Sequence, residues 1–401
     1  LFDEAGYLRL YPGLRDAIAA GIVESGWDHY EKHGRREGRQ PNDVDPDFYL
    51  ASYAIVAADL GRPPRRGDAA GHFIRLGRAR GYLPNAKAPR PDDPSAIASR
   101  FGGLWTDRPD ALDMIQNRFD LGRITDKQAE RLRTWIRDGY VTIDLGTGTD
   151  RLAPAALALD QTFAGIIPAA RFRCPALGDG LLPWTPELTP LPAAALDIHH
   201  LSGAIRSLIL APIVTRFLTE LFDSPLRVTG TEGLLRPIAR APHQDSSRAG
   251  HTSQRGFAGV WFGLDDPVAV EAMYVYPGSH RQSEFLYRDR FKSAEEARRI
   301  GEDIVAADED RHAEHLMTVI RRRGLARTSL APQFGSAIVW HPDLIRESVS
   351  PAGLDVCRGL RVIVCPRTVA PLYAERAPTI PHAHGGHHFD SGVYAEQEPV
   401  D

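Results

Sequence analysis

The chain has 401 residues, 43% of them hydrophobic, and its 48 Lys and Arg against 52 Asp and Glu leave a formal charge of −4. That length can bury one large core and a smaller appendage, and the charge gives no basis for binding nucleic acid or an anionic membrane surface. No segment approaches the roughly 18 consecutive apolar residues of a membrane span, and no basic stretch leading into an apolar run marks a secretory signal.

The chain opens on Leu1 rather than Met, which leaves room for an upstream piece. Residues 1–86 then carry an internal repeat. Asp3, Tyr7-Leu8 and Tyr11 recur as Asp45, Tyr49-Leu50 and Tyr53; His29-Tyr30, Gly34 and Pro41-Asn42 recur as His72-Phe73, Gly77 and Pro84-Asn85, a period of 42 to 43 residues. Each unit reads as a short helix after an Asp, a second helix bearing the His–aromatic pair, and a glycine stop. His29 and His72, at matching places beside an aromatic, read as packing residues rather than ligands. The unit resembles a repeat found beside bacterial glycan-processing domains, which implies a protein or glycan partner for the module. Residues 87–95, with Pro89, Pro91, Asp92, Asp93 and Pro94, read as a linker.

Thr125 and Gln128 form a capping box, and Ala129, Leu132, Trp135 and Ile136 supply the apolar face of the helix that Gly139 ends. Residues 171–196 are proline-rich and predict an irregular binding loop or lid. Ser202 caps a helix running to Phe222, kinked or split by Pro212. From Leu226 onward short apolar runs alternate with turns, most clearly at 257–264, 273–276, 336–340 and 359–364. A charged helical insertion over 288–323 reads as a solvated cover. The stretch 373–401 is irregular; its His382, His384, His387 and His388 could bind metal adventitiously or fold back over a site. Cys174, Cys357 and Cys365 have neither a disulfide framework nor a zinc spacing, and read as reduced thiols of a cytoplasmic protein.

The chemistry gathers around Pro242-His243-Gln244-Asp245. Residues i and i+2 of a strand share a face, so His243 and Asp245 can present two members of a two-His-one-carboxylate facial triad. The triplet, Trp261 on the next strand, the Tyr276-Pro277-Gly278-Ser279-His280 turn, the Trp340-His341-Pro342 strand end and Gly359-Leu360-Arg361 follow one another in an order that resembles the phytanoyl-CoA dioxygenase family, from about residue 124 to about 366.

That resemblance implies an α+β protein: a double-stranded β-helix (jelly-roll) oxygenase core with flanking helices over 96–372, beside the small N-terminal helical repeat domain. It implies Fe(II) and 2-oxoglutarate as cofactors. Its activity would be hydroxylation or other oxidation of a small molecule, such as a sugar or glycan-linked substrate. His243 and Asp245 match the family's metal and catalytic residues. Arg361 and Ser348 match its holders of the keto acid's distal carboxylate, Trp261 the aromatic beside it, and Gln244 lies between the metal residues. One position departs from the family: Arg346 stands where the third ligand, a histidine, is usual. A guanidinium stays protonated and has no lone pair to donate. Three alternatives follow. His341 or a tail histidine serves as third ligand, iron is held by two ligands alone, or the domain is a catalytically degenerate binding or scaffold protein of polysaccharide or natural-product assembly in which Arg346 pairs with Asp245.

Overall fold

The computed structural model describes residues 1–77, 82–88, 101–108, 110–236, 238–248, 250–265, 272–281, 285–288, 290–299, 301–302, 304–330, 334–349, 358–371, 379–381 and 386–394. Most of the expected linker 87–95, together with Cys357, His382 and His384, lies outside them.

Strands are numbered in chain order: β1 Tyr140–Asp144, β2 Arg171–Cys174, β3 Gly178–Pro183, β4 Ala194–Leu196, β5 Leu226–Leu234, β6 Arg240–His243 and β7 Ala258–Gly263. There follow β8 Ala272–Val275, β9 Thr328–Leu330, β10 Ser336–Trp340, β11 Arg346–Val349, β12 Gly359–Pro366, β13 Thr379–Pro381 and β14 His388–Asp390. The larger sheet runs β1-β10-β7-β12-β5-β4-β2-β3 and the smaller β6-β11-β8-β9. Every pairing along these two paths is antiparallel, while β14 joins the edge of β5 in parallel. Mixed helices and two mainly antiparallel sheets are consistent with the expected jelly roll.

Strands β7 and β10 are buried along their whole length, because each is covered on both faces. Along β10 the side chains alternate as the pleat requires. Ala337 and Val339 join the main core with the helices Asp126–Asp138, Leu152–Phe163 and Pro212–Phe222. Ile338 and Trp340 face the other way, into a second core with Trp261, Met273, Val275 and Leu344. Gly259, paired with Trp340 across the sheet, makes room for the indole, which a Cβ would overlap.

The capping box forms as expected: Thr125 Oγ1 accepts from the Gln128 amide at 3.3 Å, Gln128 Oε1 accepts from the Thr125 amide at 2.7 Å, and Gly139 ends the helix at φ 80°. Pro212 splits its helix into Gly203–Ile209 and Pro212–Phe222, the first capped by Ser202. Residues 171–196 depart from expectation, since β2, β3 and β4 lie within them and extend the larger sheet beyond β5. The turn at Gly178, with φ 110°, lets β2 and β3 pair despite the flanking prolines.

The insertion is more than a solvated cover. Lys292, Ser293, Glu296, Asp308 and His312 are all buried in it or beside it. The tail does fold back: Asp197 accepts hydrogen bonds from Ser391 Oγ (2.7 Å) and the Gly392 amide (3.1 Å), and the Tyr394 hydroxyl donates to the Leu196 carbonyl (3.2 Å). At the N-terminus, Tyr7 meets His29 Nδ1 at 3.1 Å and Tyr49 meets His72 Nδ1 at 2.9 Å, the same contact one period apart. Both histidines are thus hydrogen-bonded packing residues.

Candidate functional site

Strand β6 ends at His243, and Asp245 opens a short helical turn, Asp245–Arg248. The two residues therefore do not share a strand as the spacing predicts. Ser247 Oγ donates to the Gln244 carbonyl at 2.7 Å and tightens the chain there. The side chains still converge, with His243 Nε2 3.8 Å from Asp245 Oδ1.

The tautomer of His243 is set by its backbone. Nδ1 lies 2.7 Å from the Ala241 carbonyl, which can only accept, so Nδ1 carries the proton and Nε2 keeps its lone pair. Nε2 is buried and has no hydrogen-bond partner among the described residues. Burial and then the Arg346 charge hold the imidazole well below its usual pKa, so it is neutral.

Arg346 opens β11 directly across from His243. Its place is fixed by the Pro-Gly-Ser-His turn, where Ser279 Oγ accepts from the Ile345 amide at 2.8 Å. The guanidinium grips Asp245 through both oxygens, Nη2 to Oδ1 at 2.5 Å and Nε to Oδ2 at 3.2 Å, and the Trp340 indole adds a third donor to Oδ2 at 2.7 Å. Burial alone would raise the Asp245 pKa; Arg346, His243 and these hydrogen bonds overcome it and hold the carboxyl well below the carboxylate range. The triad positions thus hold one available nitrogen, a carboxylate that already accepts three hydrogen bonds within the protein, and a cation. That donor set does not fit Fe(II).

His341 stands apart from this cluster, which corrects its expected role as third ligand. Its Nδ1 accepts from the Asp343 amide at 3.0 Å, its Nε2 meets Asp107 Oδ1 at 3.1 Å, and its ring packs against Trp135 and His280. Both nitrogens are spent on the far side of the sheet. The tail ring of His387 accepts from the Leu226 amide at 3.0 Å, another structural use. Among the described residues no group of three or more His, Cys, Asp or Glu could hold a metal.

Gln244 turns away, as its place between the two metal positions implies, and donates to the Asp343 carbonyl at 2.5 Å, so it lines neither cavity described below and is not a cofactor contact. Two expected keto-acid contacts are corrected. Ser348 spends its proton on the Ile238 carbonyl at 2.7 Å. Trp261 belongs to the core between the sheets, with its ring 5.8 Å from the Arg361 guanidinium, and lines neither of the two cavities described below.

Arg361 does face a cavity, of about 410 Å³, with Arg173, Arg240, Arg346, Glu232, Asp245 and Trp340; the tail residues Gly392 and Val393 form part of its wall. Glu232, across the sheet from Arg361 at 3.9 Å, is bound by Arg240 through both oxygens at 3.3 and 3.4 Å. A second chamber of about 470 Å³, containing His243, Arg248, His251 and Phe257, shares Arg173, Glu232, Arg240, Asp245 and Ile363 with the first. The guanidinium groups fit a carboxylate ligand.

Sequence reasoning missed the ionic cluster behind the site. Asp343 binds Arg255 Nε at 2.5 Å, Lys292 Nζ at 2.9 Å and the Ser246 hydroxyl, and thereby braces the turn that carries Asp245. Only its charged residues at apolar positions hinted at it.

No curated protein matches the chain. Among solved structures, the epimerase SnoN in complex with Fe3+, alpha ketoglutarate and nogalamycin RO is 17% identical, with a TM-score of 0.44 over 61% of this chain and 86% of that one. EctD from S. alaskensis with bound Fe is 16% identical, at 0.42 over 61% and 77%. AviO1 from Streptomyces viridochromogenes Tue57 is 16% identical, at 0.40 over 62% and 99%. Residues 229–350 match the family model for phytanoyl-CoA dioxygenase. The match supports a non-heme oxygenase, of a family whose cofactors are Fe(II) and 2-oxoglutarate. Residues 229–350, the segment that holds His243, Asp245 and Arg346, are therefore what this chain shares with the phytanoyl-CoA dioxygenase family.

Proposed function

We propose that this domain binds 2-oxoglutarate or a close acid analogue in the Arg361 cavity without iron, as an oxygenase fold turned to ligand binding. The bidentate Arg346–Asp245 pair, at the position of the missing ligand, carries the reading. The pair satisfies Asp245 within the protein and places a fixed positive charge where a metal would need a neutral donor. Arg361 is the residue for the ligand's distal carboxylate, with Glu232 as the group that it leaves to do so.

Calorimetry tests this directly. 2-Oxoglutarate should bind in the presence of a chelator, and Arg361→Leu should abolish binding with the fold intact. Binding that depends on added Fe(II), or succinate release on turnover, would overturn it.

A second reading is favoured by one observation, the buried and unpartnered lone pair of His243 Nε2. In that reading the chain is an Fe(II)/2-oxoglutarate oxygenase acting on a sugar or glycan-linked small molecule, and Arg346 must leave Asp245 before metal binds. Full iron stoichiometry in the unaltered protein would establish it.

A further inference from the structure

We infer that the second chamber is a binding site for a hydroxylated phosphate ester, a sugar phosphate being the simplest of its kind. The inference rests on the reading above only for the wall that the two chambers share.

The two carboxylates of this chamber are both taken, Glu232 by Arg240 and Asp245 by Arg346. Arg173 and Arg248 are exposed at its lining and make no hydrogen bond or ion pair among the described residues, although the Arg173 charge bears on Glu232. Two guanidinium charges are therefore left for a ligand. A carboxylate carries one charge, whereas a phosphate ester carries about −1.5 to −2 at neutral pH and offers three acceptor oxygens to planar guanidinium forks.

The inner end asks for a different group. His251 is 7% exposed and stacks on Phe257 with ring centroids 4.8 Å apart. Its Nε2 shares a hydrogen bond of 2.8 Å with Thr229 Oγ1. Nδ1 is left buried with no hydrogen-bond partner among the described residues, and a hydroxyl, which both donates and accepts, suits it in either tautomer. Burial and the Arg227 charge lower the His251 pKa to about 4, so the ring is neutral at physiological pH. A ligand hydroxyl satisfies Nδ1. Ile238, Phe257 and Ile363 supply the apolar flank on which the C–H face of a sugar ring can lie.

Calorimetry with α-D-glucose 1-phosphate, inorganic phosphate and D-glucose tests the assignment. The ester should bind at least tenfold more tightly than either fragment. Arg248→Gln, a change at an exposed residue of this chamber alone, should weaken it at least tenfold. His251→Phe should bring the ester down to the level of inorganic phosphate. Equal binding of glucose or of phosphate alone, or no effect of Arg248→Gln, would overturn the site. Titration of 2-oxoglutarate on the same proteins separates the two readings. Ester binding without 2-oxoglutarate binding sinks the proposed function and leaves this site standing, and the reverse sinks this one.

Discussion

Arg346 is 3% exposed, and its charge is matched by Asp245 rather than by solvent. Exchanging it for histidine removes that charge and supplies a neutral imidazole facing His243. At short range in partly screened surroundings the lost repulsion alone is worth roughly 1–4 kcal/mol, or about five- to a thousandfold in affinity. Arg346→His should therefore bind Fe(II) more tightly than the unaltered chain and release succinate from 2-oxoglutarate, as measured by side-by-side iron titration and succinate assay. If the exchange weakens iron binding, Arg346 does not stand at the ligand position. That His243, Asp245 and Arg361 stand at the cavities was legible in the sequence through the resemblance, whose motif restricts residue type and spacing. The direction of His341 and Ser348 was not. A side chain's face depends on where its strand ends, and each of these polar atoms found a backbone or carboxylate partner behind the cavity.

Among the elements, the insertion shows most clearly what composition hides. Its charges suggested a solvated cover, yet Lys292 is 3% exposed and ion-paired to Asp343, whose carboxyl also takes Arg255. The lysine comes from a segment distant in sequence and steadies the turn after His243. Lys292→Met should lower stability by about 2 kcal/mol, the scale of a lost hydrogen bond to a charged group, and loosen the Asp245–Arg346 geometry. Glu295→Ala, three residues on and exposed, should change stability by less than about 0.5 kcal/mol. Urea denaturation of both variants checks the contrast, and equal losses would refute it. The helix of Thr125 and the break at Pro212 could be read beforehand, since caps and prolines act locally. The strands inside 171–196 could not, because their pairing depends on the distant edge of β5.

For the whole molecule, the buried histidines set the response to acid. Burial foremost lowers His199 and His312 to about 3 and His200 and His251 to about 4, and holds His243 and His280 well below their usual value. These folded-state values lie below the unfolded value of about 6.5. Their contribution is thus fully present above pH 6.5 and is lost as pH falls toward the folded values. Each such group contributes a slope of up to about 1.4 kcal/mol per pH unit in that window. The urea midpoint should be level between pH 7 and 8 and fall steeply from 6.5 toward 4. A level midpoint across the acid range would mean that these rings reach solvent in the native state. Alternating apolar runs made a β-rich class legible, but not the strand order, in which β12 lies between β7 and β5. That order is settled by contacts between distant segments, which no local pattern encodes.

The tail over the first cavity has a consequence in time. Gly392 and Val393 wall the chamber, and the Tyr394 hydroxyl accepts from the Arg171 amide, 223 positions earlier in the chain. During synthesis, at about 5–20 residues per second, the amides and carbonyls at this edge wait for some ten seconds or more before their closing partner emerges. The arginine-lined chamber itself is complete but for the tail only once Ile363 has emerged, about 30 residues before Gly392, and for the roughly 1.5–6 s of synthesis that remain it stands open to the surrounding solution. A ligand captured then would be enclosed by the last strand rather than admitted past it, so protein made in the presence of its ligand should retain it through purification better than protein supplied with it afterwards.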